Sequence, residues 1–264
     1  MQEGVHAIID FDSNDWMASL SDAVLNSVPQ ERRAALPTAQ VSYTDDALDF
    51  LVDRTSASRI VDDTLAWIRS NSVRVYHGTR LTDEEAEAMK RDGMRPLSVD
   101  GRIDWLRTTF PQLAPILTQD FVSKAMDAGQ MRYRESQVHA AISRREMFAG
   151  YDYLKEGSEF DRRLLEWGGR PDLVATLKSR GRPRLVSLVV PGDEALAAMH
   201  PYFSVDDVRA TDTYPNLVRE LLRAWAWELH RPGGQREGVD ACLMFRAAVP
   251  GEFVEDVVAV TSAA

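Results

Sequence analysis

His77 and Gly78 stand together directly after an alternating segment, residues 73–76, that predicts the end of a strand. A glycine at such a point lets a ligand approach the backbone closely, so that its N–H and C=O groups pair with a planar amide. The imidazole beside it can offer a ring nitrogen to a sugar hydroxyl. The pair therefore suits a nucleoside that carries an amide, although a turn histidine with satisfied hydrogen bonds is the more common explanation.

Other ligand-binding patterns are missing from the sequence. Neither G-x-G-x-x-G nor G-x-x-x-x-G-K-[ST], the glycine patterns that cradle phosphates, occurs. His200 and His230 are isolated, and no H-x-x-x-H or H-E-x-x-H spacing is present, so no metal site is predicted. His139 falls on the less apolar face of a predicted strand and is interpreted as a structural histidine.

The His-Gly pair belongs to a longer block that resembles a known family. Residues 75–80, Val-Tyr-His-Gly-Thr-Arg, and the helix that ends at residues 90–96 resemble the first catalytic block of ADP-ribosyltransferases. The branch is that of poly(ADP-ribose) polymerases and diphtheria toxin, which has a His-Tyr-Glu signature. The resemblance covers roughly residues 73–96, and a weaker similarity continues through residues 137–139 and 153–160.

The resemblance implies that five residues of this block bind NAD. It implies that His77 contacts a ribose and that the Gly78 backbone holds the nicotinamide carboxamide. The other NAD-binding residues that it implies are Tyr76, Thr79 and Arg80. The resulting activity is that of an NAD-dependent ADP-ribosyltransferase, which uses NAD as co-substrate, needs no metal, and transfers ADP-ribose to a protein or nucleic-acid acceptor. Bacterial relatives of this kind are often toxins or antiphage effectors, so the resemblance also allows for an antitoxin or another regulatory partner.

This reaction needs a carboxylate, and two glutamates are candidates. Breaking the nicotinamide–ribose bond builds positive charge on the sugar, which a nearby carboxylate stabilises. Glu159 is preferred because Gly157 and Ser158 place it in an exposed turn at the start of a predicted helix. A first-turn glutamate favoured by the helix dipole explains it equally well. In the family the glutamate usually lies on a late strand, and Glu252, next to Phe253 at the opening of the last predicted strand, is closer to that order, although an exposed glutamate after a Pro-Gly turn also explains it.

An aromatic ring commonly stacks on the leaving nicotinamide in this family. Tyr153 is the predicted stacking residue, and Tyr151 is the second choice. A buried core tyrosine is an alternative explanation for either of them.

Capping signals mark the start and the end of the helix that follows His77. Thr82 and Glu85 have the spacing of a capping box at the start of a helix, and Gly93 is a typical helix stop. These signals place His77 in a loop between a strand and a helix. Further strands are predicted at residues 137–143, 184–190, 241–245 and 253–260, and further helices at residues 160–167 and 217–229.

Separated strands and helices of this kind favour an α+β fold over a regular βαβ array. The resemblance refines this expectation to an ADP-ribosyltransferase-like split β-sheet core with helical insertions. Residues 1–70 are predicted to form an N-terminal helical extension, and residues 71–264 the ADP-ribosyltransferase-like domain.

Composition and charge narrow the classes of protein that this chain fits. The 264 residues carry a formal net charge of −10, which argues against a broad nucleic-acid-binding face. Local basic clusters occur, such as Arg180, Arg182 and Arg184, and are interpreted as solvated surface. Cys242 is the single cysteine and is expected to be buried. Neither a signal peptide nor an apolar run long enough for a membrane span is visible, so a cytoplasmic protein without membrane contact is expected.

Two other functions stay open. A non-catalytic nucleotide- or partner-recognition module on the same fold is the main alternative, and the acidic charge and the unusual order of the carboxylate support it. An RNA 2′-phosphotransferase on the related fold would need more arginines in the motif blocks than Arg80 alone.

Overall fold

The computed structural model describes residues 7–53, 56–149, 154, 157–211, 214–236, 239 and 241–260. Contacts divide the chain into two compact units. The first unit comprises Met1–Val75, Ala141–Glu146 and Val189–Leu243. The second unit comprises Tyr76–Ala140, Met147–Leu188 and Met244–Ala264. The boundary expected between residues 70 and 71 stays a prediction.

The described strands form one open six-stranded sheet. They are β1 (Ile8–Ile9), β2 (Ser72–Leu81), β3 (Val138–Ala141), β4 (Arg182–Pro191), β5 (Cys242–Phe245) and β6 (Val254–Ala259). The strand order is β5-β3-β2-β4-β6, and β1 pairs with β2 in parallel. β4 and β6 are antiparallel, with Arg184 opposite Ala259. This mixture of a sheet with many helices confirms the α+β class.

The described helices are, in chain order, α1 (Met17–Val24), α2 (Gln30–Ala35), α3 (Thr44–Leu51), α4 (Ala57–Arg69), α5 (Asp83–Asp92), α6 (Val99–Thr109), α7 (Gln119–Ala128), α8 (Arg145–Ala149), α9 (Glu159–Trp167), α10 (Val174–Leu177), α11 (Gly192–Ala197), α12 (Val205–Thr211) and α13 (Asn216–His230). The helical prediction for the beginning of the chain is confirmed by α1 to α4. Apolar residues at helical spacing bury one face of α3 and of α4, which accounts for these two helices.

The prediction that His77 lies in a loop was wrong, because β2 continues through it to Leu81. The His-Gly-Thr segment has weak strand propensity by itself. β2, however, is the middle strand of the order β5-β3-β2-β4-β6, so this segment has a pairing partner on both sides. Tertiary pairing of this kind overrides local propensity. His77 is therefore fixed on the sheet rather than in a connecting segment.

The capping signals after β2 were predicted correctly. Thr82 Oγ1 accepts a hydrogen bond from the Glu85 N–H at 3.2 Å, and Glu85 Oε2 accepts one from the Thr82 N–H at 2.8 Å. Gly93 ends α5 with a φ of 78°. A Cβ atom at Gly93 would stand 2.0 Å from the Val249 carbonyl oxygen, so the position requires glycine for space as well as for backbone conformation.

In the first unit, α13 packs against α3, and α1 and α11 pack against α4. Trp225 and Trp227 of α13 are both buried, at 1% and 6% exposure. The indole of Trp225 donates to Ser21 Oγ at 2.7 Å, and that of Trp227 donates to the Gln235 carbonyl at 3.0 Å. Each indole N–H thus has an acceptor, which lets both rings enter the interior.

The expected burial of Cys242 was wrong. Its neighbours Ala241 and Leu243 are buried, whereas Cys242 is exposed. Residues alternate between the two faces along a strand, so a cysteine between two buried positions faces the other way. The apolar run was therefore a poor guide to this single position.

In the second unit, a separate core forms among α6, α7 and α9. Fully buried members include Leu106, Leu113 and Leu164. Ser158 begins α9 by accepting the Asp161 N–H on Oγ at 3.1 Å. This core packs α6 against α9, the helices that carry Arg102 and Asp161.

No helix among the described residues is long and apolar enough to cross a membrane.

Candidate functional site

His77 is held in one orientation and one tautomer. Its Nδ1 lies 2.8 Å from the carbonyl oxygen of His139 on the neighbouring strand β3. Because a carbonyl only accepts, Nδ1 carries the proton and Nε2 is left with a free lone pair. Burial lowers the pKa of His77 below its ordinary value, against the opposing effect of the hydrogen bond to His139. The ring is therefore neutral near pH 7, with Nε2 able to accept a hydrogen bond.

His139 continues this network rather than acting as an isolated structural histidine. Its Nε2 lies 3.0 Å from Oε1 of Gln137. Gln137 is buried, and its amide nitrogen donates to the Tyr133 carbonyl at 2.9 Å, which fixes the amide orientation. Nε2 of His139 is consequently the protonated nitrogen. His77 thus bonds the backbone carbonyl of His139, while the ring of His139 bonds separately to Gln137.

Glu159 is linked to the same network through Arg134. Arg134 Nη1 donates to Glu159 Oε2 at 2.6 Å, and the two side chains are 43% and 30% exposed. Arg134 also acts on His139, because its positive charge is one of the causes that lower the pKa of that histidine. The second unit thus brings His77, His139, Arg134 and Glu159 into one electrostatic group. The sequence analysis assigned no role to Arg134 or to Gln137, although Gln137 lies in the weakly similar segment 137–139.

The two faces of β2 divide the five residues that were expected to bind NAD. Strand alternation places His77 and Thr79 on one face and Tyr76, Gly78 and Arg80 on the other. Tyr76 is buried at 1% exposure and Thr79 at 9%, so neither presents a substantial surface in this arrangement.

The Gly78 backbone is covered by protein side chains. A Cβ atom at this position would stand 2.8 Å from Cδ1 of Leu154 and 3.0 Å from Cε of Met147. The missing side chain of the glycine therefore makes room for these two residues. The space beside Gly78 in which a nicotinamide was predicted to bind is filled here by the side chain of Leu154.

Arg80 contacts backbone carbonyls. Its Nη2 donates to the carbonyls of Lys178 and Gly181 at 3.0 and 2.7 Å, and its Nε donates to the Arg180 carbonyl at 3.3 Å. A guanidinium that spans three carbonyls ties the segment between α10 and β4 to β2. This role in the fold is independent of any ligand.

Three other candidate residues were predicted at this site. Tyr153 and Tyr151 lie outside the described residues. Glu252 lies in the 3-10 turn Gly251–Phe253, which packs on the last turn of α5: a Cβ atom at Gly251 would stand 2.2 Å from the Arg91 carbonyl oxygen. The assignment of the carboxylate to Glu159 or Glu252 stays a prediction.

A depression in the second unit collects charged residues that the sequence analysis did not connect. Its lining includes Arg80, Glu85, Arg102, Trp105, Asp161 and Arg180, with Gly157 and Ser158 at the start of α9. This set is called the arginine depression below. Arg180 belongs to a cluster that was interpreted as solvated surface, and that interpretation was wrong for Arg184, which is 6% exposed and paired with Asp83. Arg102 and Trp105 are three residues apart on α6, and this spacing was the sequence signal that the two side chains are neighbours.

His139 makes the free energy of unfolding depend on pH. Burial is the largest cause that lowers the pKa of His139 from 6.5 to about 4, and the positive charge of Arg134 and the neighbouring His77 lower it further. In the unfolded chain this histidine takes up a proton near pH 6.5, whereas in the folded chain it stays neutral until about pH 4. The unfolded state therefore binds more protons in this window, and stability falls as the pH falls from about 6.5 towards 4.

We expect His139 to contribute about 2 kcal/mol to the loss of stability between pH 7 and pH 5. Urea unfolding of the wild type and of His139→Gln at both pH values measures this contribution. The loss should be smaller by that amount in the variant, because all other titrating groups are shared. Equal losses in the two proteins would contradict the assignment of a neutral His139.

No family model matches the sequence, and no curated protein or solved structure is significantly similar to it. Within the described ranges, no group of three or more His, Cys, Asp or Glu side chains could hold a metal ion.

Proposed function

We propose that this protein is an NAD-dependent ADP-ribosyltransferase that transfers ADP-ribose to a protein or nucleic-acid acceptor. NAD is the co-substrate, and the residues assigned to the reaction include no metal ligand. The observation that carries the proposal is the neutral His77 on the middle strand of the sheet, linked electrostatically to Glu159 through His139 and Arg134.

The protonation of His77 supports this assignment. Nδ1 donates to the His139 carbonyl, so Nε2 accepts a hydrogen bond from a donor such as a ribose hydroxyl. A neutral imidazole also avoids repelling the positive charge that develops on the ribose when the nicotinamide leaves. His77 would therefore bind and orient the sugar without opposing the reaction.

Glu159 supplies the carboxylate in this proposal. Its 30% exposed side chain is held by Arg134 at one oxygen, and among the described residues no hydrogen bond joins the other oxygen. A carboxylate fixed at one oxygen is oriented before the substrate binds, which reduces the entropy lost in the reaction. Glu159 lies in the first turn of α9, where the helix N-terminus favours a negatively charged side chain.

The finer fold assignment is part of the same proposal. An ADP-ribosyltransferase-like core with a helical extension accounts for a His-Gly-Thr segment on a middle strand followed by a capped helix. The resemblance implies a split sheet, whereas the described strands belong to one sheet.

The test is incubation of the protein with NAD that carries labels in the nicotinamide and in the adenosine. Released nicotinamide and labelled acceptor are expected for the wild type. His77→Ala should weaken NAD binding by roughly tenfold, because one hydrogen bond to the sugar is lost. His200→Ala is the matched control, since His200 lies in the first unit and is not part of the His77 network. Turnover at the wild-type rate with unchanged affinity in His77→Ala would contradict the proposed site.

A non-catalytic recognition module is the second candidate, and the covering of Gly78 favours it. With Leu154 and Met147 on its backbone, Gly78 has no free surface for a carboxamide in this arrangement. Binding of NAD or ADP-ribose without release of nicotinamide is the result expected for such a module. If the protein neither binds NAD nor turns it over, NAD is not the ligand in either of the two candidate functions.

A further inference from the structure

The arginine depression has two guanidinium groups that are fixed on one side. Arg102 donates Nε to Oδ1 of Asp161 at 2.8 Å and one Nη to Oδ2. Arg180 donates Nη2 to Glu85 Oε1 at 2.7 Å. The carboxylates thus hold both guanidinium planes in place, as preorganised arginines are held in oxyanion sites.

Both arginines have N–H groups left over for another acceptor. Arg102 uses Nε and one Nη, and within the described part of the chain its other Nη has no hydrogen-bond acceptor. The Nε of Arg180 is buried and has no hydrogen-bond partner. A buried donor without an acceptor is costly, and in native proteins such a group usually has a water or an ion as its partner.

The net charge of the lining is positive in a chain that is strongly acidic overall. Arg80, Arg102 and Arg180 contribute three positive charges, and Glu85 and Asp161 contribute two negative ones. The start of α9 adds the backbone N–H groups of its first turn, which also favour an anion. A positive lining is unexpected in a protein with a formal net charge of −10.

The shape of the depression restricts the size of the anion. The space between the lining residues is about 300 Å³, part of which is open to solvent. Only about 20 Å³ of this space admits the centre of a water-sized group, far less than an ordinary small-molecule pocket, so a single phosphate group at the open side fits more readily than a whole dinucleotide. Trp105 lies under Arg102, with 3.9 Å from its ring centroid to the guanidinium carbon, and gives the depression a rigid wall.

We propose that the arginine depression binds a phosphate or diphosphate group. The group would accept hydrogen bonds from the unused N–H donors of Arg102 and Arg180, while Asp161 and Glu85 keep the two guanidinium groups in position. This inference does not depend on the proposed transferase activity. The phosphate group belongs either to a free ion or to a nucleotide such as ADP-ribose.

Calorimetric titration at fixed ionic strength tests the proposal, with inorganic phosphate, pyrophosphate, ADP-ribose and NAD as separate probes. Pyrophosphate is expected to bind the wild type, and Arg180→Gln should weaken it by about tenfold to a hundredfold, since charge-assisted hydrogen bonds are lost. Arg170→Gln is the matched control. Arg170 has nearly the same exposure, 39% against 38%, and also pairs with a carboxylate, but it does not line the depression.

Two results would overturn the proposal. One is a wild type that binds none of the four probes, and the other is an equal loss of affinity in Arg180→Gln and Arg170→Gln. If Arg180→Gln lowers the Tm strongly, Arg180→Lys keeps the charge, loses the Nε–H, and should still weaken pyrophosphate more than Arg170→Lys does.

The comparison of probes identifies the source of the phosphate. ADP-ribose that binds more tightly than pyrophosphate indicates a nucleotide ligand, and the reverse order indicates a free ion. Because binding is measured without turnover, failure of the phosphate site and failure of the transferase activity give different results.

Discussion

A Glu159→Gln variant is expected to release nicotinamide from NAD about 10²- to 10³-fold more slowly than the wild type, because the charge that stabilises the developing cation is removed. Glutamine keeps the shape of the side chain and an oxygen that accepts from Arg134, so the fold of the surrounding residues should be preserved. The measurement is the rate of nicotinamide release at saturating NAD, together with the affinity for NAD. A fall in rate with little change in affinity distinguishes catalysis from binding.

Two further glutamates make this prediction specific. Glu166→Gln is the matched control, because Glu166 is on the same helix, has almost the same exposure at 29% against 30%, and also pairs with arginine. Its rate should equal that of the wild type. Glu252→Gln tests the alternative carboxylate, and a loss of activity there with full activity in Glu159→Gln would show that the assignment to Glu159 is wrong.

The second large effect is expected on stability. Arg102→Ala should lower the free energy of unfolding by about 3–5 kcal/mol, because it leaves the Asp161 carboxylate without its partner. Asp161 is buried, with a side chain only 3% exposed, and it receives both of its side-chain hydrogen bonds from Arg102. Urea unfolding measures the change. The variant also loses the cation–π contact between Arg102 and Trp105, which lowers the free energy of unfolding further.

Arg170→Ala provides the comparison for this effect. The ion pair of Arg170 with Asp172 lies at the surface, with side chains 39% and 60% exposed, and such pairs contribute about 0–1 kcal/mol. Similar losses in Arg102→Ala and Arg170→Ala would show that the burial of Asp161 has no energetic consequence. A large difference would confirm that the Arg102–Asp161 pair stabilises the junction of α6 and α9.

The features that the sequence predicted well depend on residues close together in the chain. The capping box of Thr82 and Glu85 spans three residues, so the chemistry of the helix start is complete within one turn. The stop at Gly93 is similar, because its backbone conformation alone favours glycine. Burial of a whole helix face also follows from local spacing, as in α4.

The features that were missed join distant parts of the chain. His77 meets His139 across 62 residues, and Arg102 meets Asp161 across 59. His77 lies inside a strand because β2 pairs with its neighbours β3 and β4 in the sheet. The His-Gly-Thr segment alone does not predict this pairing. Arg134 likewise has no recognisable role until the fold pairs it with Glu159 and lets its charge act on His139.

The contact of Leu154 with Gly78 has a consequence for any affinity that is measured at this position. A planar ligand that uses the Gly78 backbone must exchange places with the Leu154 side chain, so binding is a competition between an internal occupant and an external one. The apparent Kd is then the intrinsic Kd divided by the fraction of molecules in which Leu154 has left the glycine. A Leu154→Ala variant has a shorter side chain at this place, which removes part of the competition. The variant should bind a ligand of the Gly78 backbone more tightly and have a lower free energy of unfolding.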